Sequence, residues 1–312
     1  MTLPARRPEH YTPGYASAAY ARSLAHMGSP RALPHSGGWI LERPLPDGGG
    51  SDAAGPYPLF TCPCWEGLEA DLEALAGRLV SLVLVTDPFC PLGEPALRRL
   101  FPHRLVRYKT HYLVHPERLD AARLPHHHRR NLRRAGHEVE IDIQPASLAL
   151  LDEWAALYAL LVARHGIRGP ACFPRAAFAR QLQLPGMFAV RARAGGRTVG
   201  MQLWLQAGRV GYYHLGASDQ EGYRRRAAYA MTHEAIRFLG ARDVEVLDLG
   251  GGAGVRPKED GLTRFKQGWA TDARPVFLGG RILDPPRYRE LCAMRPALDL
   301  DFFPLYRAGV QA

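Results

Sequence analysis

Read at about 100° per residue, the stretch Leu124–Asp142, LPHHHRRNLRRAGHEVEID, separates into two faces. His126, Arg129, Arg130, Arg133 and Arg134 fall within one arc, and Leu124, Leu132 and Ala135 lie opposite. The pattern predicts a helix over Leu124–Ala135 that packs on its apolar side and turns the other toward an anion. Gly136 is the expected stop, where a left-handed cap is easiest. Beyond it Val139, Ile141 and Ile143 alternate with Glu140 and Asp142, the period of a half-buried strand. A solvated basic face without a ligand is the alternative reading of the same arc.

The same reasoning extends along the chain. Up to about Pro56, Pro, Gly and Ser dominate, and the residues around Ala16–Ala25 form an expected helix before LPDGGGSDAAGPYP, read as a loop with a flexible turn at Gly48–Gly55. Helices are expected at Gly67–Ala76 and Glu94–Phe101. Leu79–Val85 is a continuous apolar run suited to a strand buried on both faces, and Leu105–Val114 alternates as the next strand. After the basic helix come helices at Leu148–His165 and Arg175–Leu182, then strands at Met187–Ala194, Thr198–Ala207 and Arg209–Ala217. Ala194-Gly195-Gly196 and Ala207-Gly208 mark tight hairpins between those strands. A helix at Tyr223–Leu239, a strand at Val244–Leu249 and a strand at Val276–Leu283 complete the order. An antiparallel meander followed by a helix and a further strand predicts a mixed α/β (α+β) fold around a central, largely antiparallel sheet.

At 312 residues the chain exceeds the size at which one core usually stops growing, so two subdomains are expected, 1–120 and 121–312. Apolar residues at 46% and charged residues at 22% make a globular balance, which excludes a disordered or fibrous chain. The net charge of +10 favours an anionic partner such as RNA, a nucleotide carrier or an anionic lipid head. That charge is almost all arginine, because Lys109, Lys258 and Lys266 are the only lysines. The cysteines, Cys62, Cys64, Cys90, Cys172 and Cys292, are odd in number and lack paired spacing, which argues against a disulfide scaffold or a zinc site and for a reducing, cytoplasmic setting. No signal peptide and no membrane-spanning segment are expected, since the longest apolar run is far too short.

Two blocks carry a family likeness. The Pro125-led, Arg-rich helix with a central Asn131, closing on Ala135-Gly136 before an acidic strand, resembles a segment of the Fem-type transferases. These are the peptidoglycan bridge-forming ligases, which belong to the wider GNAT acyltransferase superfamily. More specifically, VEVLDLGGGAG at Val244–Gly254 followed by DGLTRFKQGWA at Asp260–Ala270 resembles the Fem pattern of a strand ending in Asp-x-Gly-Gly, then Gly-Leu, Phe-Lys and a Gly-aromatic pair. YYHLGASDQ at Tyr212–Gln220 falls between them. The resemblance covers roughly residues 120–285 and implies a GNAT-like fold over 121–312; the helix and strand content of residues 1–120 is compatible with a degenerate or partial copy of the same fold. The resemblance also implies an N-acyltransferase that forms an amide from an activated carrier and an amine.

Such a reaction requires deprotonation of an ammonium, a held carbonyl and a stabilised oxyanion, tasks that backbone groups and positioning largely supply. The resemblance places Lys266 where it would neutralise a carrier phosphate or the developing tetrahedral centre. Asp248, at a strand end before Gly250, Gly251 and Gly252, is a candidate to orient that lysine or accept a proton, and the glycines let backbone approach a ligand. The run lacks the Lys-Ser/Thr ending of a nucleotide P-loop. His214 is the candidate base, its ordinary pKa lying near neutrality. Tyr213 and Tyr229 are candidates to protonate the leaving group. Arg129, Arg130, Arg133 and Arg134 are assigned to donor or anion binding, and His165 and Arg168, at a glycine-hinged helix end, to acceptor contact.

The donor is left open between an acyl-CoA thioester and an aminoacyl-tRNA, with no tightly bound cofactor or metal expected. Gly222–Tyr229 has arginines but not the inner glycines of the usual pyrophosphate-binding loop of acetyl-CoA users, and no heptad run corresponds to the coiled-coil arm that Fem ligases often carry. The acceptor is expected to be an amine-bearing small molecule or peptide. The competing expectation is a non-catalytic module of the same fold that binds RNA or a phosphorylated ligand through its basic face. Adjacent histidines on a helix cannot all converge on one metal, so His126–His128 is read as structural or phosphate-facing.

Overall fold

A computed structural model describes residues 14–253, 260–294 and 301–309. The chain forms two compact units, one built from Tyr15–Tyr108 and the chain from Val276 on, the other from Lys109–Pro275. The first unit therefore takes in residues from both ends of the sequence.

In chain order the first unit begins with α1 (Ala18–Ser23), β1 (Ser29–Ala32), β2 (Trp39–Pro44), β3 (Ser51–Ala54), α2 (Leu68–Ala74), β4 (Ser81–Val85) and α3 (Glu94–Leu100). β5 (Arg104–Val114) carries the chain into the second unit. There follow α4 (His126–Glu138), β6 (Glu140–Pro145), α5 (Leu151–His165), α6 (Arg175–Gln181), β7 (Met187–Ala194), β8 (Arg197–Ala207), β9 (Val210–Ser218), α7 (Gln220–Arg224), α8 (Ala227–Gly240), β10 (Val246–Asp248) and α9 (Gly261–Gln267). β11 (Asp272–Ile282) returns the chain to the first unit, which α10 (Pro285–Ala293) closes.

Strands in the first unit run in the order β1-β2-β3-β4-β11, all antiparallel except the β3/β4 pair. Phe60, Trp65, Leu72, Leu84 and Phe101 pack into its core. The buried Asp71 carboxylate accepts the backbone N–H groups of His35 and Ser36 at 2.9 and 2.7 Å, satisfying a loop that no strand ladder reaches. The segment read as a loop at Gly48–Gly55 is half strand: Ser51–Ala54 pairs with β2 around a turn in which Leu45 N–H bonds Gly50 O at 2.9 Å. Its small residues give no apolar alternation, so the pairing partner alone makes it a strand. β1 and β2, likewise, carry no clear period.

The second unit has the order β5-β10-β9-β8-β7-β6, antiparallel throughout except β10 against β9. This is the mixed α/β arrangement that the meander predicted, and both Gly-containing hairpins form, with Gly195, Gly196 and Gly208 in the left-handed region. α4 and α8 pack together on one face, burying Leu124, Ala135, Met231, Ile236 and Trp269, while α5 covers β9 on the other. The helix expected to stop at Gly136 continues to Glu138. The Arg134–Glu138 contact at 2.9 Å and the Val139 N–H to Ala135 O bond at 2.9 Å hold the last turn, offsetting the ~1 kcal/mol that a mid-helix glycine costs. The single helix expected over Tyr223–Leu239 is two, broken at Arg226, whose φ of 60° lies in the left-handed region.

Candidate functional site

β10 is short and stops at Asp248, opposite Leu113 of β5 and Tyr212 of β9, whereas β9 runs on to Ser218. The chain leaves this point through Gly250, Gly251 and Gly252. Gly250 has φ +76°, and a Cβ on Gly252 would sit 2.1 Å from Thr263 Oγ1, so side chains are excluded where the loop turns against α9. Asp248 fixes the start of the loop, its Oδ1 accepting the Gly250 N–H at 2.7 Å. Both carboxylate oxygens also face His111 Nδ1 on β5, at 2.8 and 3.0 Å, with both side chains buried.

α9 begins at Asp260, whose side chain accepts the N–H groups of Thr263 at 2.6 Å and Ala253 at 3.2 Å, tying the helix start to the end of the glycine loop. This brings Lys266 inward. It is only 8% exposed, its Nζ donates to Gly251 O at 2.8 Å and lies 5.4 Å from the centre of the Tyr213 ring. Burial pushes its pKa down to about 8; Asp248 and Asp260 pull it back up, and Lys109 pushes it further down. Lys109, on β5, donates to the next carbonyl, Gly252 O, at 3.1 Å, and burial lowers its pKa too, partly offset by Asp260.

Asp248, Gly250, Gly251, Gly252 and Lys266 thus meet in one place. Gly254, the end of the sequence block that contains them, lies outside the described residues. His214 belongs to a different environment: its Nε2 is 3.3 Å from Gln181 Oε1 on α6, Phe173 packs beside it, and burial pushes its pKa down to about 3. An imidazole held neutral at every ordinary pH is a weak base for an ammonium. Burial also raises the Tyr213 phenol, which keeps it protonated.

On α4 the predicted arc is exposed at Arg129, Arg130, Arg133 and Arg134, with Leu124 and Ala135 buried. Arg129 bonds Ala122 O and Arg134 pairs with Glu138, whereas among the described residues Arg130 and Arg133 have no ion-pair partner. His126 and His127 are exposed, but His128 is buried. Its Nε2 lies 2.9 Å from Phe265 O and its ring packs edge-on to Tyr229 and Trp269 and stacks with Phe265. A Cβ on Gly268 would lie 2.0 Å from His128 Cε1, so the Gly268-Trp269 pair exists to admit that ring. His165 and Arg168 are exposed beside Gly166, which caps α5 in the left-handed conformation. In the loop before α8, Glu221 binds Arg224 and Arg225, at 2.8 and 2.6 Å, so two of its three arginines are engaged within the protein.

His111 and Lys109 were not singled out in the sequence. Their signal was present: the two polar residues stand two apart on a strand, hence on one face, within an otherwise apolar-alternating run, and one of them is among only three lysines.

Residues 123–267 match the family model for the Acetyltransferase (GNAT) domain. The fold extends beyond it. The crystal structure of FemX is similar with a TM-score of 0.67 and 14% identity, over 88% of this chain and 93% of that one. The C-terminal domain of a putative lysylphosphatidylglycerol synthetase from Agrobacterium fabrum follows at 0.60 and 15%, over 89% and 90%. L-PGS from Bacillus licheniformis matches at 0.54 and 12%, over 91% and 96%. These likenesses show the shared fold, in keeping with the Fem-type resemblance read from the two sequence blocks. No curated protein matches the chain. The domain match supports acyl transfer as the general class of activity.

Proposed function

We propose that the second unit is an N-acyltransferase that moves an acyl or aminoacyl group from an activated carrier, an acyl-CoA or an aminoacyl-tRNA, to an amine, with its reacting centre at the Gly250–Gly252 loop. The observation that carries this is Lys266: a buried ammonium, lowered to about 8, donating into a glycine loop that starts at a buried carboxylate. In such a place an ammonium stabilises developing negative charge far better than it does in water. The Asp248 carboxylate accepts Nδ1–H of His111, which leaves the Nε2 lone pair to take a proton from the acceptor ammonium. The amine nitrogen then bonds the acyl carbon while the C–S or C–O bond to the carrier breaks. Lys266 neutralises the tetrahedral oxyanion, the second proton of the added nitrogen passes to the departing thiolate or alkoxide, and His111 returns the first proton to solvent. We therefore assign the base to His111 in preference to His214.

The Fem-like and lysylphosphatidylglycerol synthetase-like folds favour an aminoacyl group, and the arginines already engaged by Glu221 weigh against the usual CoA loop. A cytoplasmic setting is favoured by an odd number of cysteines without paired spacing. The exposed His165 and Arg168 remain our candidates for acceptor contact. The second reading, a binding module, draws on the unpaired, exposed Arg130 and Arg133. Incubation of the purified protein with an amine pool and either acetyl-CoA or charged tRNA, followed by mass spectrometry, tests the proposal. Acylated product from wild type and none from Lys266→Met is the expected result. No product from either donor, with RNA binding retained, would favour the module.

A further inference from the structure

We propose that His128, on α4, is a positioning residue for the acyl transfer: one hydrogen bond from its ring to α9 sets where Lys266 stands at the glycine loop. This rests on the reading of the Gly250–Gly252 loop as the reacting centre and adds a residue to it. α9 is short, and its last carbonyls need donors from beyond its own ladder. The turn behind it serves three of them: Gly268 N–H bonds Arg264 O at 3.1 Å, Trp269 N–H bonds Lys266 O at 3.1 Å and Ala270 N–H bonds Gln267 O at 3.2 Å. Phe265 O, between them, is bonded instead by His128 Nε2 at 2.9 Å, from 137 positions away. A carbonyl only accepts, so the proton sits on Nε2, and Nδ1 keeps a lone pair that faces His127 Nε2 at 2.7 Å. The exposed His127 thus donates inward and fixes the tautomer. Burial holds the His128 pKa below its ordinary value, so the ring stays neutral at pH 7 and offers this single donor. The bond reaches Lys266 through covalent geometry. Phe265 O belongs to the peptide group whose nitrogen is that of Lys266, and because the group is planar, holding the oxygen orients the plane from which the lysine side chain departs. The ring is itself held: His128 is 0% exposed, Tyr229 and Trp269 meet it edge-on with ring centres 5.0 and 5.2 Å away, and the missing Cβ of Gly268 makes room for it. A lysine stem has many rotamers and its ammonium favours water, yet Nζ is drawn to a neutral carbonyl, Gly251 O, at 2.8 Å. An anchored helix end keeps that inward direction, and a small displacement of a charged group at a reacting centre lowers the rate.

Two variants separate the hydrogen bond from the packing. His128→Gln keeps a nitrogen donor near the place of Nε2 and gives up the ring, whereas His128→Phe keeps a ring and gives up the donor. With three lysines in the sequence, ¹³Cε-lysine labelling reports Lys266 directly and without substrate, its signal assigned with Lys266→Gln. The groups that face its ammonium, Asp248, Lys109 and Asp260, stay in place in both variants. In wild type the signal is expected to titrate at about 8. His128→Phe should raise that midpoint by about one unit or more toward the ordinary 10.5 as the side chain turns to water, and His128→Gln should keep it near the wild-type value. In acyl transfer His128→Phe should lower kcat roughly tenfold or more with KM little changed, and His128→Gln should recover most of the rate. An unchanged midpoint in His128→Phe, or the reverse ranking of the two variants, overturns the assignment, because the ring would then act by packing alone. Where a variant melts early, imidazole ¹⁵N spectra of the wild-type protein decide: a neutral Nε2–H tautomer of His128 at pH 7 is expected, and an Nδ1–H tautomer or a charged ring overturns the bond. Midpoints in the expected order without acyl transfer from wild type would keep the positioning and sink the transferase reading, and wild-type transfer that His128→Phe leaves intact would do the reverse.

Discussion

Replacing Lys266 with methionine is expected to stabilise the second unit at neutral pH while abolishing acyl transfer. In the unfolded chain this lysine titrates near its ordinary 10.5, and in the folded protein near about 8, because burial disfavours the ammonium. Between those values the unfolded state binds more protons than the folded one, so stability rises with pH through that window. Below about 8 the whole penalty is present. At ~1.4 kcal/mol per pH unit the gap corresponds to on the order of 3 kcal/mol of folding free energy held back by keeping this proton. Methionine fills a similar volume without the charge, but it leaves Gly251 O without its donor, a loss of about 1–2 kcal/mol. The net gain at pH 7 is therefore about 1–2 kcal/mol. Urea unfolding of wild type and Lys266→Met at pH 7 and at pH 10.5 measures it, and the variant's advantage must vanish or reverse at the higher pH. A variant less stable than wild type at pH 7, or a difference independent of pH, would show that Lys266 is well solvated and would remove the basis for its role at the reacting centre.

Gly268→Ala should destabilise the second unit by about 2–4 kcal/mol, since its Cβ would meet the buried His128 ring, and adding His128→Ala should recover part of that loss in a thermal-melt double-mutant cycle. His111→Gln should lower kcat by about 10²–10⁴, whereas His214→Gln should leave the pH–rate profile unchanged, because burial pushes the His214 pKa down to about 3. Reversing Arg130 and Arg133 to Glu should weaken RNA or phosphorylated-ligand binding and flatten its salt dependence with little change in melting temperature; an unchanged salt slope would mean that the face is idle.

Local chemistry made much of this protein legible in advance. Periods of 3.6 and 2 depend on residues a few positions apart, so the two-faced α4, the buried strand β4 and the β7–β9 meander with its glycine turns can be read from the chain itself. The Asp-x-Gly-Gly and Phe-Lys blocks singled out Asp248 and Lys266, which lie within one short run of sequence and meet at one glycine loop. Tertiary structure decided the rest. β1 to β3 are strands only because each finds a partner, and β10 is three residues whose neighbours, β5 and β9, arrive from distant parts of the chain. His111 meets Asp248 across 137 positions and Lys109 meets Gly252 across 143, contacts that leave no mark on any local period. Burial is likewise collective: α5 and α6 close over His214 and push its pKa down, while the turn of α9 behind Asp260 withdraws Lys266 from water and lowers its pKa. Sequence named the ionisable groups, but the low dielectric that sets their chemistry exists only once the units have folded around them.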